Sequence, residues 1–201
     1  FTVYLKKATP PDNNAHAILD LPAAPYEILD ALDKLRLEEK DAILWEITEY
    51  PQFEELESLI DGNGSFYELN ALAQKLSELD EAQSAIFAGL VKMEKPTGPI
   101  LLPRLIDLAY GTGCCHILLD ALNESQLGRI RAGTKSIPGV DQLPKDIFEI
   151  LDFEQIGRRM CISEKGVFVE RTMDHPGGYV AQDSPLAETA KTLDLTPKAP
   201  D

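Results

Sequence analysis

Apolar and polar residues alternate near both ends of the chain, and this pattern predicts strands. Residues 2–6 alternate β-forming residues with others, a turn-forming Pro and Asn cluster follows at 10–14, and residues 16–21 form a second candidate strand. Near the other end, residues 166–170 and 178–182 are two further short candidate strands joined by a loop. The pattern therefore predicts antiparallel strand pairs in both halves of the chain.

Helical periodicity dominates the region between these strands. Pro25 stands where a first helical turn tolerates proline, and apolar residues follow at helical spacing as far as Leu35. Ser65 with Glu68, and Asp80 with Gln83, have the spacing of capping boxes, each followed by an apolar stripe. The sequence therefore predicts two capped helices, and the short turn between them favours an antiparallel pair.

The remaining elements complete an α+β pattern. Strands are predicted at residues 42–48 and 115–119, the second of them buried, and helices at 101–110, 124–131, 146–151 and 153–160. Residues 95–99 have the composition of a linker. The elements and this linker divide the chain into an α+β segment at 1–60, a helical segment at 61–98 and an α+β segment at 99–183. The tail, 184–201, has no obvious core to join.

Composition and charge narrow the classes of partner. The chain has 201 residues, of which 44% are hydrophobic and 26% charged, as in a folded globular protein. Its net charge of -15 is uneven, because residues 1–100 hold 19 acids and 8 bases while residues 101–201 hold 15 acids and 11 bases. Such a surface repels nucleic acid and anionic membranes, because proteins bind both of these through Lys and Arg side chains. A basic protein is the expected partner.

The acidity is most one-sided between Asp41 and Gln74, where 34 residues contain no Lys or Arg. Without local bases this segment presents a negative field. The acidic run continues along the two capped helices. Solubility alone would explain such a surface, and so would a contact surface for a basic partner. The candidate partner-binding residues are Asp41, Glu46, Glu49, Glu54, Glu55, Glu57, Asp61, Glu68, Glu78, Asp80 and Glu81.

Motifs for other chemistry are incomplete. Oxygen ligands at Asp61, Asn63 and Ser65 resemble a calcium loop, but Phe66 and Leu72 stand where that loop needs Gly and Glu. No zinc-type ligand pairs, phosphate-binding loop or hydrolase signature occurs in the sequence. We therefore expect no metal, no cofactor and no enzymatic activity.

Cysteine usage leaves one enzymatic alternative open. The odd count of Cys114, Cys115 and Cys161 indicates reducing surroundings, and no apolar run reaches the length of a membrane span. We expect a cytoplasmic protein. Cys115 with His116, or with His16 or His175 brought close by the fold, could form a small thiol enzyme, whereas the simpler interpretation is a buried strand.

The order of segments resembles the ArdA family of antirestriction proteins over roughly residues 2–182. The most specific pieces are the Glu-Leu-Asn helix segment at 68–72 and the Asp152–Arg158 segment that contains Gly157. The segments that carry the likeness are residues 2–7, 21–22 with the following helix to Leu35, 45–53, 64–72, 76–79, 143–144, 150–158 and 166–168.

This resemblance implies a DNA mimic, with an elongated α+β protomer of three small domains that dimerises through its C-terminal domain. Its carboxylates would imitate phosphates in the DNA-binding groove of Type I restriction-modification enzymes. The chain departs from the family pattern in bases that dilute the C-terminal acidity, namely Arg129, Arg131, Lys135 and Arg159. An acidic module that binds another basic DNA-binding protein is the main alternative.

Overall fold

The computed structural model describes residues 1–8, 15–37, 42–50, 53–62, 64–94, 98–134 and 137–194. Within these residues the chain forms helices and two three-stranded antiparallel sheets, which confirms the predicted α+β class. Contacts divide the chain into two compact units. Unit 1 comprises Phe1–Glu78, Pro96–Tyr110 and Glu188–Asp201, and unit 2 comprises Leu79–Lys95 and Gly111–Ala187. The layout of three domains stays a prediction.

The elements follow the predicted order. The strands are β1 Thr2–Lys7, β2 His16–Asp20, β3 Ile43–Glu49, β4 Cys115–Leu118, β5 Val167–Val169 and β6 Gly178–Gln182. The α-helices are α1 Pro25–Leu35, α2 Phe66–Ser77, α3 Glu81–Met93, α4 Leu102–Tyr110, α5 Glu124–Gly133, α6 Lys145–Glu149 and α7 Phe153–Glu164. Short 3-10 helices span Glu54–Ser58, Gly111–Cys114, Val140–Gln142 and Ala190–Thr192.

The sheet of unit 1 has the order β2-β1-β3, with β1 at its centre. Leu5 of β1 lies opposite Ala17 of β2 and Trp45 of β3, and all three side chains are buried. Alternate residues point outward, because successive side chains of a strand face opposite sides of the sheet. The predicted first hairpin is therefore confirmed, and Tyr4 and Glu46 face each other on the outer side of the sheet.

Both predicted helix caps are present. Ser65 Oγ accepts a hydrogen bond from the Tyr67 backbone N–H at 3.2 Å, and Asp80 Oδ1 accepts one from the Gln83 N–H at 2.8 Å. We predicted that α2 and α3 pair with each other. The structure instead places α2 in unit 1, where it packs against α4, and α3 in unit 2, where it packs against β5 and β6.

Asn70, in the Glu-Leu-Asn segment, has a structural role in unit 1. Its Oδ1 accepts a hydrogen bond from the Ala23 N–H at 2.8 Å, and its Nδ2 donates to the Ala23 carbonyl at 3.3 Å. The amide therefore satisfies both backbone groups of Ala23, just before α1 begins. This part-buried amide, paired with the backbone on both sides, fixes where the connection meets the helix.

Unit 2 is layered around β6, the central strand of the order β4-β6-β5. Tyr179 and Ala181 of β6 belong to a core cluster with Ala121 and Leu127. Val180 lies against α3 at Gly89, where an added Cβ would stand 2.8 Å from the Val180 Cβ. The strand is therefore buried on both faces.

Helices α5 and α7 cross at two glycines in direct backbone contact. A Cβ on Gly128 would lie 1.9 Å from the Phe153 carbonyl oxygen, and a Cβ on Gly157 would lie 1.8 Å from the Glu124 carbonyl oxygen. Real Cβ atoms do not approach backbone oxygen this closely, so the crossing requires glycine at both positions. The segment that gives the strongest family likeness is thus part of a helix packing interface.

The expectation that the tail has no core to join is wrong for its described part, which ends at Asp194. The Ala190 N–H donates to Asp107 Oδ1 at 2.8 Å, and the 3-10 helix Ala190–Thr192 packs against α4. Asp107 is 8% exposed. A buried carboxylate needs donors, and the tail supplies one.

Candidate partner-binding surface

The acidity resides mainly in unit 1. By sequence, unit 1 contains 20 acids and 9 bases, a net charge of -11, and unit 2 contains 14 acids and 10 bases, a net charge of -4. The two values cover all 201 residues and together give the net charge of -15. A basic partner is therefore attracted more strongly to unit 1 than to unit 2.

Three of the candidate carboxylates line one groove in unit 1. Glu46, Glu57 and Asp61 border a cavity of about 460 Å³ that runs beside β3, and we name it the β3 groove. Trp45 and Tyr50 contribute aromatic side chains to its lining. Its other lining residues are Lys6, Leu44, Ile47, Ile60 and Gly62. The groove thus combines negative charge with apolar walls.

β3 is an edge strand in the order β2-β1-β3, so side chains from both of its faces border the groove. Consecutive residues of β3 point to opposite faces, so Trp45 is buried while Glu46 is exposed. Trp45 Nε1 donates a hydrogen bond to the Gly64 carbonyl at 3.1 Å, and this bond holds the turn just before α2 beside the strand. That turn needs glycine at Gly62, whose φ is 74°.

Tyr50 is held at the other end of β3. Its ring meets the Phe1 ring edge to face, with centroids 5.5 Å apart. Burial raises the pKa of the Tyr50 hydroxyl, and the negative charge of Glu57 raises it further. At neutral pH Tyr50 therefore keeps its proton and offers a hydrogen-bond donor close to the Glu57 carboxylate.

Three other candidate carboxylates make local hydrogen bonds. Glu68 Oε2 accepts from the Ser65 N–H at 3.1 Å, which completes the cap of α2, and Asp80 caps α3. Glu78 accepts from Gln74 Nε2 at 2.9 Å. Cap replacement costs about 1 kcal/mol, so the conformational roles of Glu68 and Asp80 suffice to explain these residues.

The remaining candidates are distributed differently. Glu49 lies at the end of the first sheet, where Thr2 Oγ1 is 3.4 Å from its Oε2 and 2.9 Å from Asp20 Oδ1. Glu81 is exposed in the first turn of α3 and belongs to unit 2. Asp41 and the side chains of Glu54 and Glu55 lie outside what the structure describes.

Sequence reasoning missed the partners of these acids. Asp20 and Glu49 lie beside the same Thr2 hydroxyl, because the hairpin pairs Thr2 with Asp20. The position of the turn in the sequence does not fix this register. The sequence pattern places Trp45 in a strand and Tyr50 at its end, and it does not indicate a shared groove. Their place in the groove depends on contacts with residues 57–62, which no local pattern reveals.

The thiol candidate has the wrong protonation state for a nucleophile. Burial raises the pKa of the Cys115 thiol to about 11, and Cys114 and Asp183 raise it in the same direction. A thiol with this pKa is almost fully protonated near pH 7, and the thiolate is the reactive form. The predicted strand is present as β4, but all four of its residues are only part-buried, so the expectation that it is buried is wrong.

The three candidate histidines occupy different surroundings. His116 Nδ1 lies 2.7 Å from Asp183 Oδ1, and Arg131 Nη2 lies 3.1 Å from His116 Nε2. Because arginine only donates, Nε2 is the acceptor and Nδ1 carries the proton toward Asp183. His16 stacks on Tyr4 in unit 1, whereas His175 is buried in unit 2. Among the described residues no group of three or more His, Cys, Asp or Glu is placed to hold a metal ion.

The bases that depart from the family pattern are partly neutralised inside unit 2. Arg129 Nη2 donates to Glu149 at 2.8 Å, with its guanidinium 5.1 Å from the Phe153 ring centroid. Arg131 Nη2 lies 3.0 Å from Glu164 Oε1. Arg159 is exposed, and Lys135 lies outside the described residues. Arg129 and Arg131 therefore form ion pairs within unit 2, which partly neutralise their charges.

Within the described part of the chain, no helix has the length and apolar character needed to cross a bilayer. Comparisons with protein-family models, with curated proteins and with solved structures gave no match.

Proposed function

We propose that this protein is a cytoplasmic, non-enzymatic DNA mimic that inhibits Type I restriction-modification enzymes by occupying their DNA-binding groove. In this proposal the protein acts as a homodimer and needs no cofactor. The observation that carries the proposal is the concentration of negative charge in unit 1, where Glu46, Glu57 and Asp61 line one groove. The ArdA-like order of segments names the class of target.

The charge of unit 1 is of the right order for mimicry. B-DNA carries one negative charge per about 1.7 Å of its axis, so a net charge of -11 matches about 19 Å of duplex. A DNA-binding groove lined with Lys and Arg recognises such a field without reading a base sequence. Electrostatic attraction also speeds encounter and weakens as salt is added.

Of the two alternative functions, one would use the same acidic surface of unit 1 and the other would not use it. An acidic module for another basic DNA-binding protein would rely on the same unit 1 charge, so the identity of the captured enzyme separates it from the leading proposal. A thiol enzyme has no support from Cys115, whose raised pKa of about 11 leaves little thiolate at neutral pH.

The experiment compares two triple variants that each change the net charge by six. The first reverses the exposed carboxylates Glu46, Glu49 and Glu57 of unit 1 to Lys, and the second reverses the exposed Asp120, Asp146 and Glu170 of unit 2 to Lys. Cleavage of unmodified DNA by a purified Type I enzyme is measured with each protein as inhibitor.

We expect the unit 1 variant to inhibit about 10- to 100-fold more weakly than the parent, since each exposed charge pair is worth about 0.2 to 1 kcal/mol and reversal adds repulsion. The unit 2 variant should stay within about threefold of the parent. Equal inhibition by both variants, or none by the parent protein, would refute the proposal.

A further inference from the structure

We infer that β2 is an edge through which two copies of this chain pair in antiparallel orientation around a two-fold axis. The first sheet then continues from one copy into the other, in the order β3-β1-β2-β2-β1-β3. The inference goes beyond the proposed function, because it places a contact between copies in unit 1, whereas the family resemblance implies dimerisation through the C-terminal domain. It does not depend on which enzyme the protein inhibits.

The hydrogen bonds of the first sheet show which residues of β2 face its open edge. Phe1 and Leu21 exchange two backbone hydrogen bonds, of 2.7 Å and 3.0 Å. Hydrogen-bonded and non-hydrogen-bonded pairs alternate along an antiparallel ladder, so Leu19 is the next residue whose backbone bonds to β1. The backbone N–H and C=O groups of Ile18 and Asp20 therefore point away from β1, toward the open side of β2.

Ile18 is the central residue of this edge. Its side chain is 66% exposed on the outer face of the sheet. Within the part of the chain that the structure describes, no group bonds to its outward N–H and C=O. An edge strand with unpaired backbone groups is a template for another strand, and proteins usually protect such an edge with charged side chains or proline. Here an apolar side chain stands at the centre instead.

The sequence of β2 is complementary to itself in one antiparallel register. With Ile18 opposite Ile18 of the partner subunit, the two residues exchange a pair of backbone hydrogen bonds, and apolar side chains meet. In the same register Asp20 lies opposite His16 of the partner subunit, a carboxylate acceptor opposite an imidazole. Registers centred on Ala17 or Leu19 place Ile18 against a polar residue, and a register centred on Asp20 sets two carboxylates against each other.

β3, the other edge strand of the first sheet, lacks this self-complementarity. Its central residue is Glu46, so full overlap of two antiparallel β3 strands would set this carboxylate directly opposite its own copy. Like charges in directly opposite positions destabilise a strand pair. Pairing of β2 with β3 of another copy would not close around a two-fold axis and would build larger assemblies. β2 is therefore the edge of this sheet that favours a closed pair.

The acidity of unit 1 limits the strength of the dimer. Each copy of unit 1 carries a net charge of -11, so two copies repel each other. Salt screens this repulsion, and association should therefore strengthen as salt is added, whereas binding to a basic partner should weaken. A single strand pair also belongs to the class of small interfaces. We expect a Kd of about 10 to 100 µM at physiological salt.

Sedimentation equilibrium of the full-length protein measures this association. Ile18→Lys sets two like charges opposite each other at the centre of the pair and should weaken the dimer at least about fivefold. Leu44→Lys is the matched control, because Leu44 is an exposed apolar residue of the same outer face and lies on β3. It should change the Kd less than about twofold. Circular dichroism verifies the fold of both variants.

Two results of this comparison would overturn the inference. Equal weakening by Ile18→Lys and Leu44→Lys would show that the outer faces of two sheets pack together and that the edges do not pair. A dimer that is unchanged in Ile18→Lys would use another surface, such as the C-terminal domain. Assemblies larger than a dimer that Ile18→Lys abolishes would indicate pairing of β2 with β3 and would contradict the two-fold arrangement.

Disulfide formation tests the register of the pair. In a variant with serine at Cys114, Cys115 and Cys161, Ile18→Cys would bring two Cα atoms to about 5.5 Å, within the range of a disulfide. Oxidised glutathione should convert this variant to a covalent dimer on a non-reducing gel. In Asp20→Cys the corresponding atoms would lie about 14 Å apart, too far for a disulfide. Equal cross-linking of the two variants, or none in Ile18→Cys, would overturn the inference.

Failure of the inference and failure of the proposed function give different results. If the protein inhibits the restriction enzyme and Ile18→Cys forms no covalent dimer, the β2 pairing is wrong and the proposed function stands. If Ile18→Cys forms the covalent dimer and the parent protein does not inhibit the enzyme, the β2 pairing stands and the restriction enzyme is the wrong partner.

Discussion

Replacing Gly157 with alanine tests whether the α5 and α7 crossing holds unit 2 together. The added Cβ would lie 1.8 Å from the Glu124 carbonyl oxygen, whereas ordinary contacts begin at 3.4 Å. The obstacle is backbone, so no side chain can rotate out of the way. The two helices must therefore move apart by about 1.5 Å at this point, and a gap of even 0.5 to 1 Å forfeits about a quarter to a half of each contact's attraction.

The expected loss of stability follows from this geometry. Overpacked cores cost about 1 to 3 kcal/mol where neighbours can adjust, and a clash with a fixed helix backbone belongs at the top of that range. The better helix propensity of alanine returns up to about 1 kcal/mol. We expect Gly157→Ala to lower the free energy of unfolding by about 2 to 3 kcal/mol, measured by urea denaturation with circular dichroism.

Gly133 provides the matched control because it is the last residue of α5 and an added Cβ there meets no atom within 4 Å. Gly133→Ala should be neutral or stabilise the protein by up to about 1 kcal/mol. The reasoning is refuted if the two alanine variants unfold at the same urea concentration. The same outcome would also remove the structural explanation for glycine in this part of the family-like segment.

Three further predictions concern single residues. Ser65→Ala should lower the free energy of unfolding by about 1 kcal/mol in urea denaturation, because the α2 N-cap bond is lost, whereas Ser65→Asp should keep most of it. A variant with Cys114→Ser and Cys161→Ser leaves Cys115 as the one thiol. Because the pKa of Cys115 in the folded protein is about 11, it should react with iodoacetamide about a hundredfold more slowly at pH 8 than after unfolding. Comparable rates in the folded and unfolded protein would contradict this prediction. The free energy of unfolding should also fall as the pH rises from about 8.5 toward 11, because the Cys115 thiol ionises more readily in the unfolded chain than in the folded protein. The urea midpoint should therefore drop between pH 7.5 and pH 10.5, and this drop should be smaller in Cys115→Ser.

Local signals in the sequence predicted the elements well. Each capping box lies within four consecutive residues, so Ser65 and Asp80 identify helix starts without knowledge of the fold. The strand alternation of β1 likewise identifies Val3 and Leu5 as core residues. In each of these cases the physical cause lies within one turn or one strand.

Packing partners were harder to predict because periodicity shows which face is buried and not what covers it. The apolar stripe of α2 meets α4, about 30 residues further along the chain, and the prediction chose the nearer α3. From the sequence alone Asp107 would be assigned to the surface, because the donor that pairs with its carboxylate, the Ala190 N–H, lies far along the chain. Such pairings depend on the whole fold.

The candidate site was predicted only in part for the same reason. Charge counting identified Glu46, Glu57 and Asp61, yet it gave equal weight to Glu68 and Asp80, which cap helices. Capping boxes were recognised in the sequence and could have separated these two groups. The aromatic walls of the groove could not be assigned, because the hydrogen bond of Trp45 to Gly64 joins residues 19 apart.

The interleaving of the two units has a consequence for synthesis and for truncation. The chain passes from one unit to the other at four places, after residues 78, 95, 110 and 187. Unit 1 includes the segment from Glu188 onward, so during translation the helix that carries Asp107 gains the hydrogen bond from the Ala190 N–H only after residue 190 has been synthesised. A fragment that stops at Glu94 would lack α4 as well as that segment. The acidic unit is therefore assembled from segments of both halves of this sequence rather than from the N-terminal half alone.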